Sequence, residues 1–269
     1  MTQELCAAEL SAVMPVYNEG EAVVPTLRAL VAALPPGHEV LVIHDFDEDT
    51  TVPVVERLSS EMPTVRLVRN RIGSGVLNAM KAGIAASSGR HVLVTMADGS
   101  DDYRSVGPML ERASATGAAV VAASRYMRGG RQIGGPRLKR LMSRSAGLTL
   151  HWFAGVPTHD ATNNFKLYAR DFLDAVTIES TAGFELALEL TVKATLAGRG
   201  VAEVPTTWRD RTAGTSHFRL RKWLPHYLHW YLAAFRGRIG RRVRRARRSA
   251  QAPAQGARRR AGEGRPRPR

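Results

Sequence analysis

The sequence predicts an α/β domain, with a mostly parallel sheet and helices on both faces. Two observations carry that reading. Short apolar runs at 10–16, 39–43, 65–68, 91–95 and 118–123 alternate with segments of helical periodicity at 21–34, 51–61, 75–87 and 105–115. Strand followed by helix, repeated, implies crossover connections and therefore parallel strands covered on both sides. A chain of 269 residues also has ample length for the core such a sheet needs.

The elements follow in order. "LSAVMPV" at 10–16 and "EVLVI" at 39–43 are continuous apolar runs too short for helices, as are "VRLV" at 65–68, "HVLVT" at 91–95 and "AAVVAA" at 118–123. The intervening segments space their apolar residues three and four apart, which places them on one helical face. The second half is less regular. A basic amphipathic segment lies at 137–153, a short strand fits 164–168, and helices fit 170–176 and 184–197. A strand fits 200–207, and an aromatic helix is expected from Leu220 to Arg236. No internal repeat is visible. Ligands of open parallel sheets sit at the carboxyl ends of the strands. Attention therefore falls on the loops 15–20, 44–50, 69–75 and 96–102.

Charge narrows the function classes. The net charge is +15, but residues 236–269 hold 14 Arg against the single acid Glu263, a net of +13. The first 235 residues therefore carry only +2. A nearly neutral body argues against sequence-specific nucleic-acid reading, and neither a helix–turn–helix nor an RNA-binding aromatic signature is present. The Arg-, Ala-, Pro- and Gly-rich tail has few core-forming residues and is expected to be disordered beyond about Ser249. Cys6 stands alone, which excludes a disulfide framework and a cysteine zinc cluster. The start, "MTQELCAAEL", carries acids where a secretory signal carries bases. No apolar run approaches the ~18 residues that span a bilayer.

Several loops carry chemistry. "VMPVYNEGE", 13–21, is a strand-to-helix turn with Asn18 as a candidate cap. "VIHDFDED", 42–49, ends a strand in Asp45, Asp47 and Asp49, acids that can bind a ribose or cap the next helix. Gly73 and Gly75 precede a helix, where a glycine turn can approach phosphate. "VTMADGSDD", 94–102, delivers Asp98 at a strand end, with Asp101 and Asp102 placed as entry acids for the following helix. On "PRLKRLMSRSAGLTLHWF", Leu138, Leu141, Met142, Ala146 and Leu148 fall mainly on one side. Arg137, Lys139, Arg140 and Arg144 make its rim basic. Such a helix is either a solvated surface helix or one that leans on a membrane and collects a lipid phosphate.

Taken in order, "PVYNE", "HDFDEDT", "GSG", "MADGSDD", "SRYMRGG", "TNNFKLY" and "EVPTTWRDRTAGTSHF" resemble the family 2 inverting glycosyltransferases, most of all the dolichol- and polyprenyl-phosphate mannose synthases. The likeness spans roughly residues 10–220. It implies a GT-A fold, a GDP- or UDP-hexose donor, a divalent metal (Mg²⁺ or Mn²⁺) and a polyprenyl phosphate acceptor. On the matching positions, Pro15, Tyr17, Glu19 and Asp45 contact the donor nucleotide. Asp98 holds the metal with help from Ser100. Arg125, Lys139 and Ser143 take the acceptor phosphate, and Arg211 lies on a loop that closes over the donor diphosphate. The family's Asp-x-Asp reads here as Met96-Ala97-Asp98, so a thioether fills the first acid's slot. Lys139 stands where Arg is common, and His217 replaces a usual Lys. Glu185 and Glu189, one turn apart, are open between sugar contact and a solvated or capping role.

The resemblance divides the chain into a catalytic domain, 1–219, an aromatic amphipathic interfacial helix, 220–238, and the Arg-rich tail, 239–269. Six of the 17 aromatic residues fall between Phe218 and Phe235, and an Arg-dense segment follows at once. The expected placement is peripheral, on the anionic inner face of the cell membrane. Two other readings remain: the same fold with a hydroxyl acceptor, which would need a base such as Asp102 or Asp98, and an Arg-rich nucleic-acid binder.

Overall fold

A computed structural model describes residues 8–210 and 224–238. Strands β1 (Leu10–Pro15), β2 (His38–His44), β3 (Val65–Arg69), β4 (His91–Val94) and β5 (Val120–Ser124) alternate with helices α1 (Val23–Ala33), α2 (Val52–Ser59), α3 (Val76–Ala86) and α4 (Val106–Thr116). This is the predicted alternation. Each helix stops for a local reason. Leu34 turns extended before Pro35 and ends α1. Gly117 takes a left-handed conformation (φ 61°) and ends α4, its N–H donating to Ala113 O at 2.8 Å.

The second half adds β6 (Arg131–Ile133), α5 (Arg137–Thr149), β7 (Lys166–Ala169), α6 (Arg170–Ala175), α7 (Leu186–Leu196), β8 (Val201–Pro205) and β9 (Thr207–Arg209). A helix α8 covers 224–238. Helix α5 continues into a π-helical segment, Leu150–Ala154, which Gly155 closes in a left-handed conformation. The strand expected at 200–207 is β8, whose last ladder bond runs from Thr206 N–H to Ser124 O at 3.1 Å, and β9, not expected beyond Thr207, pairs with β6.

The main sheet has seven strands in the order β3-β2-β1-β4-β7-β5-β8. All pairs are parallel except those of β7, which runs antiparallel to both β4 and β5. The reversal has a consequence for function. Register pairs Val94 of β4 and Ala122 of β5 with Lys166, the first residue of β7. The start of β7 therefore meets the carboxyl ends of its neighbours, and the loop before β7 joins the loops after β1, β2, β4 and β5 on one edge.

Apolar clusters cover both faces. One packs α1, α2 and α4 residues such as Leu27, Val55 and Val106 on Ala12, Val42 and Val121. The other packs Met80, Ile84, Leu186 and Leu190 on Val13, Leu41 and Val92. A third, smaller cluster joins Leu150, Ala154 and Val156 to Leu188 and Val192 of α7 and to Trp230 and Ala234 of α8.

The loops after β1 and β2 are locked together by Asp49, which is 1% exposed. Its carboxylate accepts from Asn18 N–H at 3.1 and 3.0 Å and from Thr51 N–H at 2.8 Å. Asn18 Oδ1 accepts in return from Thr50 N–H at 3.1 Å. Asn18 is thus not a helix cap as expected: it holds a left-handed backbone (φ 54°), which Asn tolerates better than most residues. Asp49→Ala leaves the buried Thr51 N–H without an acceptor and is expected to destabilise the fold by about 1–3 kcal/mol, read from the midpoint of urea unfolding.

Candidate active site

On the strand-end edge, the turn after β4 is tightly built. Asp98 Oδ1 accepts from Ser100 N–H at 3.1 Å, across Gly99 at φ 69°. Ser100 is 3% exposed, yet among the described residues its Oγ has no hydrogen-bond partner. A buried hydroxyl left unsatisfied beside a carboxylate is a donor set open to a hard cation. A cavity of about 330 Å³ opens beside the turn, lined by Gly99, Ser100, Asp101, Arg104 and Arg209 among others.

The two following acids part ways. Asp102 caps the next turn as expected and grips Arg104 with both oxygens, at 2.8 and 2.7 Å. Asp101 does not act as an entry acid. It folds back to accept from Thr95 Oγ1 at 2.8 Å and Met96 N–H at 3.3 Å. Burial first, and then the nearby Asp98 carboxylate, push Asp101 up to about 7. The turn therefore concentrates negative charge, and Asp101 is a site residue that sequence reading missed. Met96 turns the other way and packs against the apolar cluster under α3.

The donor-side residues are also assembled. Pro15 ends β1 and is buried, while Tyr17 is exposed and meets the Phe46 ring edge-on at 5.7 Å between centroids. Glu19 N–H donates to Thr51 Oγ1 at 2.9 Å. Asp45 is tied to the third loop, accepting from Asn70 Nδ2 and from Gly75 N–H, each at 2.7 Å. The Gly73–Gly75 turn is thereby held against the end of β2.

Across the same edge lies a buried ion pair. Arg125 follows β5 and presents Nε and Nη2 to the two oxygens of Asp160 at 2.7 and 2.9 Å. The Arg125 N–H donates to the same carboxylate at 3.0 Å. Burial works against both charges. The Asp160 charge nonetheless holds the guanidinium above its ordinary value, and the Arg125 charge holds the carboxyl below its own. Arg125 Nη2 also donates to Ser143 Oγ at 3.1 Å, and Ser143 shares a hydrogen bond of 2.7 Å with Thr162 Oγ1. The structure thus brings Arg125 and Ser143 together, with Lys139 one turn earlier on α5. Asp160 was missed; its only signal was a lone acid just before "TNNFKLY". Arg211, Ser216 and His217 lie outside the described residues.

Glu185 and Glu189 resolve toward capping. Both are fully buried, and they accept from the backbone N–H groups of Ala182 and Gly183, and of Glu179 and Ser180. No group of three or more His, Cys, Asp or Glu residues able to hold a metal occurs among the described residues. An ion here would depend on fewer carboxylates plus other oxygens.

The model of glycosyl transferase family 2 matches residues 11–177. The chain belongs to this family. The enzyme is 29% identical over 209 residues to the undecaprenyl-phosphate mannosyltransferase of Micrococcus luteus, covering 76% of this chain and 85% of that protein. It is 30% identical over 210 residues to the polyprenol monophosphomannose synthase of Mycolicibacterium smegmatis, covering 76% and 78%. Among solved structures, it resembles the glucosyl-3-phosphoglycerate synthase of Mycobacterium tuberculosis crystallised with Mn²⁺, UDP and phosphoglyceric acid. The TM-score is 0.59 at 17% identity, over 87% of this chain and 79% of that one. The fold of this glycosyltransferase is therefore GT-A, as the resemblance implied.

Helix α5 is seated with little clearance. A Cβ at Gly147 of α5 would lie 2.1 Å from the backbone oxygen of His159, next to Asp160. Gly147→Ala is expected to push α5 off this turn at a cost of about 1–3 kcal/mol, visible as a lower melting temperature. The same shift should weaken acceptor use more than donor use in steady-state kinetics.

Proposed function

We propose that this glycosyltransferase moves a hexose, mannose or glucose, from a GDP- or UDP-sugar to polyprenyl phosphate with inversion at the anomeric carbon. The observation that carries the reading is the Arg125–Asp160–Ser143 constellation at the strand-end edge. A guanidinium already fixed by a carboxylate fork, next to a hydroxyl on a basic helix, suits recognition of a phosphate monoester. The named relatives act on such lipid phosphates.

In the reaction, an oxygen of the acceptor phosphate attacks the anomeric carbon. The bond to the donor diphosphate breaks as the new one forms, and its electron pair leaves with the nucleoside diphosphate. The attacking oxygen is already anionic, so no base has to remove a proton. The geometry agrees with that economy. Asp102, one of the two suspects for a base toward a hydroxyl acceptor, is engaged by Arg104, and Asp98 is the other. Arg125 and Ser143, with Lys139 on the same helix, hold the acceptor phosphate in line. Tyr17, Glu19, Pro15 and Asp45 hold the nucleotide, and Arg211 answers charge on the diphosphate. Asp98 and the Ser100 hydroxyl, with Asp101 as second carboxylate, would hold a Mg²⁺ or Mn²⁺ ion, which would supply further neutralisation of the leaving group.

The same reading extends to the membrane. Helix α5 exposes Leu138 and Leu141, the π-helical segment exposes Trp152 and Phe153 at 66% each, and α8 exposes Leu224, Leu228 and Leu232. Hydrogen bonds tie these elements together. Tyr231 OH donates to Thr149 Oγ1 at 2.9 Å, and Arg238 Nη1 donates to the carbonyls of Trp152 and Phe153 at 3.3 and 2.5 Å. Exposed apolar residues flanked by Arg137, Arg140 and Arg144 fit an anionic bilayer surface. No helix among the described residues is long and apolar enough to cross a membrane.

The decisive assay incubates the full chain with radiolabelled nucleotide sugars, Mg²⁺ or Mn²⁺ and short-chain polyprenyl phosphate. Organic-extractable label is the expected product, and its absence with every donor refutes the reading. In that assay Asp98→Asn should lower turnover on the order of 10²-fold, since leaving-group neutralisation is worth several kcal/mol. Turnover equal to wild type would return Asp98 to a turn residue. For the membrane, the full chain should float with anionic liposomes and detach in high salt, each basic residue near the surface contributing about 1 kcal/mol. Replacing Leu138 and Leu141 together by Asp should weaken flotation, and salt-independent binding would exclude the electrostatic part.

A further inference from the structure

Lys166 is a fully buried cation that the reaction above does not use. It opens β7, the reversed strand, and so lies on the same edge as Asp98 and Arg125. Its Nζ donates to the carbonyl oxygens of Asp160 at 3.1 Å, Ala161 at 3.3 Å and Asn163. A neutral amine has two N–H donors and an ammonium has three. Three carbonyl acceptors therefore match the charged form. The loop gathered in this way presents Asp160 to Arg125 and Thr162 to Ser143.

We propose that Lys166 is a positioning residue for the acceptor phosphate: from beneath the 160–163 loop it aims the Asp160 carboxylate that orients Arg125, and its charge keeps the cluster from being net negative. The charge argument is simple. Asp160 cancels Arg125, so the pair alone offers an arriving anion no net attraction. Lys166 restores one positive charge. Glu203 of β8, held by Thr158 Oγ1 at 2.9 Å and by His159 through N–H and Nδ1, adds a second carboxylate, so without Lys166 the cluster would be net negative. Burial pushes the ammonium down to about 7, Asp160 draws it back up, and Arg125 lowers it further. An anion held by Arg125 would offset that last effect and favour the charged form.

This role rests on the polyprenyl-phosphate reading, and the test separates the two. Full-length wild type, Lys166→Met and Lys166→Arg are compared with acceptor and donor varied in turn. Lys166→Met should raise the acceptor KM about tenfold, leave the donor KM within about twofold, and leave kcat at saturating acceptor within about threefold. Lys166→Arg, which keeps the charge, should recover most of the acceptor KM. A general packing defect would instead move both KM values or be left unrescued. An unmoved acceptor KM in Lys166→Met, or equal changes for donor and acceptor, overturns the role. If Lys166→Met fails to fold, Lys166→Gln replaces it and keeps two donors without the charge. A raised acceptor KM in Gln but not in Arg supports the proposal, and equal values in both overturn it. A wild type that makes no organic-extractable product refutes the lipid-phosphate reading and this role with it; an active wild type with an unmoved variant refutes the role alone.

Discussion

The buried pair between Arg125 and Asp160 is the constraint around which the second half of the chain is arranged. Taking two charges out of water is costly, and attraction offsets that cost only when the remaining hydrogen-bond capacity is filled. Here both carboxylate oxygens meet the guanidinium fork, and the Arg125 N–H adds a third bond. Removing one partner would strand the other, at a cost on the order of 3–5 kcal/mol. The pair can form only if the loop before β7 reaches the end of β5. The reversal of β7 provides that, since an antiparallel strand begins where its parallel neighbours end. The close seat of Gly147 against His159 brings α5 and Ser143 to the same point.

The first half of the fold was legible because its strands are buried on both faces. Such strands read as continuous apolar runs, and the amphipathic segments between them read as helices. The direction of β7 was not legible, because nothing in four residues records which way a strand runs. Strands β6 and β9 were missed for a related reason: each has three residues, and the partner lies more than 70 positions away. The site shows the same division. Arg125 and Ser143 could be named only through the ordered motifs. Asp160 and Lys166 escaped because a lone acid in a loop and a lysine in a strand ordinarily face water. Only the three-dimensional convergence makes them partners.

Helix α8 sharpens what an aromatic stripe means. Tyr227, Tyr231 and Phe235, a stripe whose spacing suits either a core or an interface, pack with Trp230 on the cluster shared with the π-helical segment and α7. Lys193 lies 4.9 Å from the Trp230 ring centre, and Gly237 sits where a Cβ would strike Leu196. The aromatic face therefore docks the helix on the body, and the leucines on another side stay exposed. The start of the expected helix, including Trp223, lies outside the described residues. Periodicity revealed an amphipathic helix but could not tell which of its two apolar rows was the buried one. Ring size decides it here, because the larger side chains remove more area from water when packed.

The turn after β4 shows how one substitution redistributes a site. A carboxylate at position 96 would have to share the apolar surroundings that Met96 now fills against the cluster under α3. An ionised group there would be desolvated without a partner, whereas a thioether packs favourably. Negative charge is instead drawn from the far side of the turn, where Asp101 folds back toward Thr95 and the Met96 N–H. The result is a pair of carboxylates, Asp98 and Asp101, on one short turn, with Asp101 raised by burial and by its neighbour. Two such groups repel, and protonation or a bound cation relieves the repulsion. Beside them the Ser100 hydroxyl is buried without a partner among the described residues. On the proposed reading, a divalent ion answers both strains at once, which a single turn carboxylate would not require.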